Sequence, residues 1–113
     1  MIETVILNYL AEKLDVGIYM ETPEKPPKSW IRVQKTSSTK SNHICNSMFA
    51  IQSYAGSLYE AALLNESVKE AMRFDNIGAL DEITDCRLNS DYEYIDQMNK
   101  RYRYQAVFDI SHY

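Results

Sequence analysis

Lys100-Arg-Tyr-Arg-Tyr-Gln-Ala-Val-Phe-Asp-Ile-Ser-His-Tyr113 alternates with a period of two. Successive side chains of a β-strand point to opposite faces, so Tyr102, Tyr104, Ala106, Phe108 and Ile110 share one side and Arg101, Arg103, Gln105, Asp109 and Ser111 the other. This predicts a half-buried strand with an apolar face against a core. Working back from it, Glu82 to Ser90 reads as the preceding strand. Asp91 to Asn99 is a charged, aromatic connection that could extend the hairpin.

Upstream, Gly56 interrupts an extended segment and Ser57-Leu-Tyr-Glu60 matches a capping box, in which a serine hydroxyl and a glutamate three residues on satisfy the free amides of a helix start. Leu58, Ala61, Ala62, Val68, Ala71 and Met72 then form a helical stripe, with Asn76 to Gly78 as its stop. A first helix is expected over residues 2 to 14, where Ile2, Val5, Ile6, Tyr9, Leu10 and Leu14 recur at three-and-four spacing. Val16 to Glu21, Trp30 to Lys35 and His43 to Tyr54 read as strands. Pro23, Pro26 and Pro27 hold the first connection extended, since each disfavours helix in the residue before it. Thr36 to Asn42 is small and polar, the composition of a mobile loop, so the second and third strands make a long hairpin.

The expected order is α-β-β-β-α-β-β. The fold class is α+β: a two-layer sandwich in which a mainly antiparallel or mixed sheet of about five strands is covered on one face by two helices. Its 113 residues make one domain, large enough to bury about 65% of the unfolded surface without disulfides. No apolar run approaches the ~20 residues of a membrane span. Met1-Ile-Glu-Thr-Val lacks the basic stretch of a secretory signal, so a cytoplasmic site of synthesis is expected, with Cys45 and Cys86 reduced. A net charge of -4 argues against binding that depends on neutralising many phosphates.

Chemistry-bearing residues are sparse. His43, Cys45, Cys86 and His112 are four side chains of zinc-binding type, but their spacing fits no zinc module and Cys45 shares a face with Phe49 and Ile51. Cys45 with His112 is the one conceivable nucleophile and base, and the isolated glycines at 17, 56 and 78 supply neither a nucleophile elbow nor a phosphate loop. Asp81, Glu82, Asp85, Asp91, Glu93 and Asp96 are locally acidic, without the glycine-bearing spacing of a calcium loop. Lys100, Arg101 and Arg103, interleaved with Tyr102 and Tyr104, imitate a single-strand-binding groove, yet alternation puts arginines and tyrosines on opposite faces. The tyrosines are then expected in the core and the arginines at solvent or subunit contacts. Nine tyrosines suit an interface protein, with Tyr54, Tyr59, Tyr92, Tyr94 and Tyr113 near element ends.

Taken together, Lys40-Ser-Asn-His-Ile44, Phe49-Ala-Ile-Gln-Ser-Tyr-Ala55, Leu58-Tyr-Glu-Ala-Ala62, Leu88-Asn-Ser-Asp-Tyr92 and Lys100-Arg-Tyr-Arg-Tyr-Gln-Ala-Val-Phe-Asp-Ile110 resemble the tail terminator, or tail-completion, proteins of long-tailed phages and prophages. The likeness spans almost the whole chain. It implies a virion protein made in the bacterial cytoplasm, not an enzyme and without cofactor or metal, whose copies close into a ring, typically a hexamer, on the head-proximal end of the tail tube. Such a ring stops tube growth and offers a surface to the head connector, with DNA passing through its lumen. A head-completion subunit of the same joint, or a small nucleic-acid-binding regulator, is the alternative.

The family pattern carries no chemical residue to transfer, so subunit and partner contacts are expected from loop placement: Ser37, Ser38, Thr39, Lys40, Ser41 and Asn42 in the polar segment, and Asp91, Tyr92, Glu93, Tyr94, Asp96, Lys100, Arg101 and Arg103 in and beside the second. Acidic side chains Asp91, Glu93 and Asp96 are expected to line the lumen and repel DNA.

Overall fold

The computed structural model describes residues 1–96 and 101–113, those at 94–96 and 101 by backbone alone. Helix α1 (Ile2–Lys13) is followed by strands β1 (Gly17–Tyr19), β2 (Trp30–Ser41) and β3 (Ile44–Ala55), helices α2 (Leu58–Ala71) and α3 (Phe74–Ile77), and strands β4 (Ile83–Asp96) and β5 (Arg101–His112). The five strands form one mixed sheet in the order β1-β2-β3-β5-β4. Only β1 and β2 run parallel; the other pairings are antiparallel. This is the expected α+β arrangement, with α3 as an addition.

The core lies between the sheet and the helices. Ile6, Tyr9 and Leu10 of α1 and Val68, Ala71 and Met72 of α2 pack on Ile31, Val33, Phe49, Ile51, Ala106, Phe108 and Ile110. On β5 the buried set is Ala106, Phe108, Ile110 and His112, every second residue, as alternation requires. Tyr102 departs from that pattern, because it lies near the end of the strand and is exposed.

Local chemistry sets the helix ends. Ser57 Oγ accepts from the Glu60 amide at 3.2 Å and starts α2. The Glu70 carbonyl accepts from the side-chain amide of Asn76 at 2.8 Å and also from the Arg73 amide at 3.3 Å, so the end of α2 is closed by both. Tyr9 ties the helices together by donating its hydroxyl to the Ala71 carbonyl at 2.6 Å. Burial holds the Tyr9 phenol above its ordinary pKa, with a smaller contribution from Cys86. Tyr9→Phe keeps the ring but leaves that carbonyl unpaired, so we expect a loss of about 1–2 kcal/mol, read from the urea midpoint.

The polar segment Thr36 to Asn42, expected to be a mobile loop, is strand as far as Ser41. Asn42 and His43 alone make the turn, with φ of 50° and 70°. Two left-handed residues match the right-handed twist of the flanking strands, the property that makes such two-residue turns the usual hairpin closure. Asparagine tolerates this conformation and histidine less so. His43→Gly is therefore expected to raise stability by about 1 kcal/mol, measurable as a higher denaturation midpoint. The corresponding region of the other hairpin is also strand: β4 runs to Asp96, beyond the Ser90 end read from sequence.

Candidate interaction surface

The molecule measures 44 × 25 × 24 Å, and its long axis follows from strand length. Twelve-residue strands span about 40 Å, whereas the 14 residues of α2 span about 21 Å. Helices of that length cannot cover strands of this one. The outer part of the β2–β3 hairpin accordingly emerges as an arm on which Lys35 through Ile44 are all exposed.

Hydroxyl contacts stiffen this arm. Ser38 and Ser47 meet across the strands at 3.2 Å, Ser47 Oγ lies 2.8 Å from His112 Nε2, and Ser111 donates to Asn46 at 2.7 Å. Thr36 sits at a register shift between Lys35 and Ser37 and donates to the Met48 carbonyl at 3.2 Å. Ser37, Thr39, Lys40, Ser41 and Asn42 are exposed as expected of contact residues, but on a hydrogen-bonded ribbon.

The second expected contact segment lies at the other end of the sheet. Cys45 pairs with His112 near the arm, and Ala55 pairs with Tyr102 at the far end. The two segments are therefore separate patches. Asp91 is only partly available for an external role: its carboxylate accepts from Asn65 at 3.2 Å and from Lys69 at 2.9 Å, clamping β4 to α2. Hydrogen bonds donated to Glu66 first, then to Asp91, hold the Lys69 ammonium above its ordinary pKa. Glu93 and Tyr92 are exposed. Lys100 lies outside the described residues, as do the side chains of Tyr94, Asp96 and Arg101.

Arg103 differs from the solvent-facing role expected for it. It is half-buried and donates to the Tyr54 hydroxyl at 2.6 Å, with its guanidinium 5.6 Å from that ring. Tyr54, also expected at a contact, is 6% exposed because it stacks on Trp30 at 4.1 Å and 2°. Tyr59 and Tyr113 are each 73% exposed.

Sequence reasoning missed a polar row on the sheet face away from the helices. Gln52 donates to Gln105 at 2.8 Å and contacts Gln34 at 3.5 Å, and Gln105 donates to the Tyr92 hydroxyl. The row crosses β2, β3, β5 and β4. Its signal was glutamine recurring on the non-apolar phase of three strands. These side-chain amides satisfy one another, which lets a flat sheet face be both packed and polar.

The catalytic possibilities raised by composition do not converge. Ser47 and His112 touch, but both are buried, and the second nitrogen of His112 faces the Tyr113 carbonyl oxygen at 3.1 Å. A hydroxyl nucleophile needs a base oriented by a third group and reachable by substrate. Among the described residues no three His, Cys, Asp or Glu side chains are placed to hold a metal ion. The acidic residues instead form separate pairs, such as Asp85 with Arg87 at 2.8 Å. A cleft of about 860 Å³ between α1 and α2 is lined by Tyr9, Leu14, Leu63 and Ala71. Its rim acids Glu66, Glu70 and Asp75 are paired with Lys69 and Arg73.

No protein-family model matches the sequence, and no curated protein matches it significantly. None of the described helices is long and apolar enough to cross a membrane. The surface therefore has to be read from its own geometry.

Proposed function

We propose that this chain is a structural subunit of a phage tail, whose copies form a ring, a hexamer in the particle, at the head-proximal end of the tail tube. There the ring stops tube growth and joins the tail to the head. The observation that supports this reading best is the polar β2–β3 arm, ordered by its own cross-strand bonds yet exposed from Lys35 to Ile44. Building a stiff ribbon that covers none of its own core has a use when a neighbour lies beside it. The sequence resemblance gives that neighbour its identity.

Physically, a ring stops a growing tube when one face matches the tube end and the other does not match the next tube subunit. Recognition of this kind needs shape and charge on fixed elements and no reacting group. Asp91 and Glu93 are both exposed, but Lys69 meets the charge of Asp91, so the lumen role falls mainly to Glu93 among the described side chains.

Disrupting the gene in its parent phage or prophage and imaging the induced lysate by negative-stain electron microscopy tests the assignment. Overlong tails separate from DNA-filled heads are expected. Tails of normal length beside unjoined heads would move the subunit to the head side, and intact particles would overturn both positions.

A further inference from the structure

We propose that neighbouring copies join by strand addition, β4 of one copy pairing antiparallel with the outer half of β2 of the next and setting Thr39 of one opposite Asp85 of the other. This deepens the ring reading and rests on it. It starts from the edges of the sheet. β1 pairs only with Trp30–Arg32. Val33–Ser41 of β2 and the whole of β4 thus have a second ladder side that pairs with no described strand.

Long edge strands usually carry lysine or proline to discourage pairing with another chain. β4 has 14 residues and neither of these, although it carries five charged residues and two bulges, and it exposes Leu88 and Tyr92 at 48% and 45%. Such an edge is a template for a partner strand.

Direction selects the occupant. β2 opposes β3, β3 opposes β5 and β5 opposes β4, so the two outer strands run in opposite senses. Copies related by simple rotation, with their strands roughly along the axis, would place β4 beside the next β2 already antiparallel. That contact uses two different patches and closes head to tail, as a ring must.

Register and charge agree with it. Across the sheet Lys40 is level with Cys45, His112 and Ile83, while Thr39 is level with Asn46, Ser111 and Asp85. Thr39 on one edge therefore stands opposite Asp85 on the other, both on the sheet face away from the helices, because Cys86 beside Asp85 faces the core and Ser38 beside Thr39 meets the buried Ser47. β2 contains Arg32, Lys35 and Lys40 with no acid, while β4 contains Asp85, Asp91, Glu93 and Asp96 against Arg87 alone. Part of this charge is met within one copy, Lys35 by Glu3, Asp85 by Arg87 and Asp91 by Lys69, and the remainder favours joining unlike edges over like ones. The irregularities at Thr36 and Asn89 flank the common Phe49–Phe108 level, while a second one in β4, at Thr84, has no counterpart in β2. β1 ends the contact at Val33, which limits sliding.

The test places a photoreactive amino acid at Thr39, and separately at Tyr59 as a helix-face control, in protein assembled into particles by the parent phage. Cross-linked peptides are then mapped by mass spectrometry. Thr39 is expected to cross-link within Asp81–Leu88 of a second copy. Ser37→Arg, which sets a second arginine opposite Arg87 on the same face, should lower that yield about fivefold, and adding Arg87→Glu should restore it. Self-cross-links from Tyr59 with Thr39 joined elsewhere would overturn edge pairing and leave the ring standing. Particles lacking self-cross-links from both positions would overturn the ring as well.

Discussion

Phe49→Ala should cost about 3–5 kcal/mol, the largest loss expected from any single side chain here. Phe49 is fully buried on β3 directly opposite Phe108 of β5, and the pair sits at the centre of the sheet under both helices. Truncation removes a large apolar surface and leaves a cavity that neighbours held in two ladders cannot close. Urea denaturation of the purified protein measures the loss, and a shift below about 1 kcal/mol would mean that the site collapses around the gap. Phe108→Ala should couple to it, the double variant departing from additivity by about 0.5–3 kcal/mol because both lesions open one cavity. Leu88 makes an informative contrast. It is level with Phe108 on β4 but 48% exposed, so Leu88→Ala should leave monomer stability within about 0.5 kcal/mol. If edge pairing is right, the same change should weaken joining of copies.

The contrast between Phe108 and Leu88 shows what the sequence could and could not reveal. Where a strand has one face on the core, burial imposes a period of two, and β5 was legible from Ala106, Phe108 and Ile110 alone. The helical spacing of Ile6, Tyr9 and Leu10 and the Ser57 cap were legible for the same reason: each is a local rule with a visible residue signature. Beyond the helical layer that signal disappears. Both faces of Ser37–Ser41 meet water, so nothing forces alternation, and a run of serine and threonine looks the same as a loop. What makes it a strand is pairing with Ile44–Met48, a nonlocal fact fixed by the left-handed pair Asn42 and His43. Helix α3, at 4 residues, is too short to display a period. The contact residues divide along the same line. Exposure of Thr39 and Lys40 followed from polarity, while the internal engagement of Asp91 and Arg103 depends on partners in α2 and β3 that sequence spacing does not bring together.

Cys45 should be alkylated at pH 8 while Cys86 is protected, because a thiol whose pKa is pushed up to about 12 is almost wholly un-ionised there. Cys86 is 7% exposed, facing the core from β4, and burial, followed by Asp85 and Asp109, pushes its pKa up to about 12. Cys45, near the turn of the arm, is half-buried. A time course with iodoacetamide, followed by peptide mass spectrometry, should show Cys45 modified while Cys86 reacts only through unfolding. Equal rates in the folded protein would mean that β4 leaves the sheet readily. The same shift carries a pH signature. Folding favours the neutral Cys86 thiol, so its stabilising effect is complete below the ordinary value of 9.0 and declines as pH rises towards about 12, because the unfolded chain gives up the proton first. Tyr9 is shifted in the same direction and adds to the loss at high pH. Cys86→Ala should therefore flatten the decline without abolishing it, and removing both groups should flatten it further. Because Cys86 lies between Asp85 and Leu88 on the edge proposed to receive a second copy, its protection also reports whether that edge stays in the sheet when no neighbour is bound.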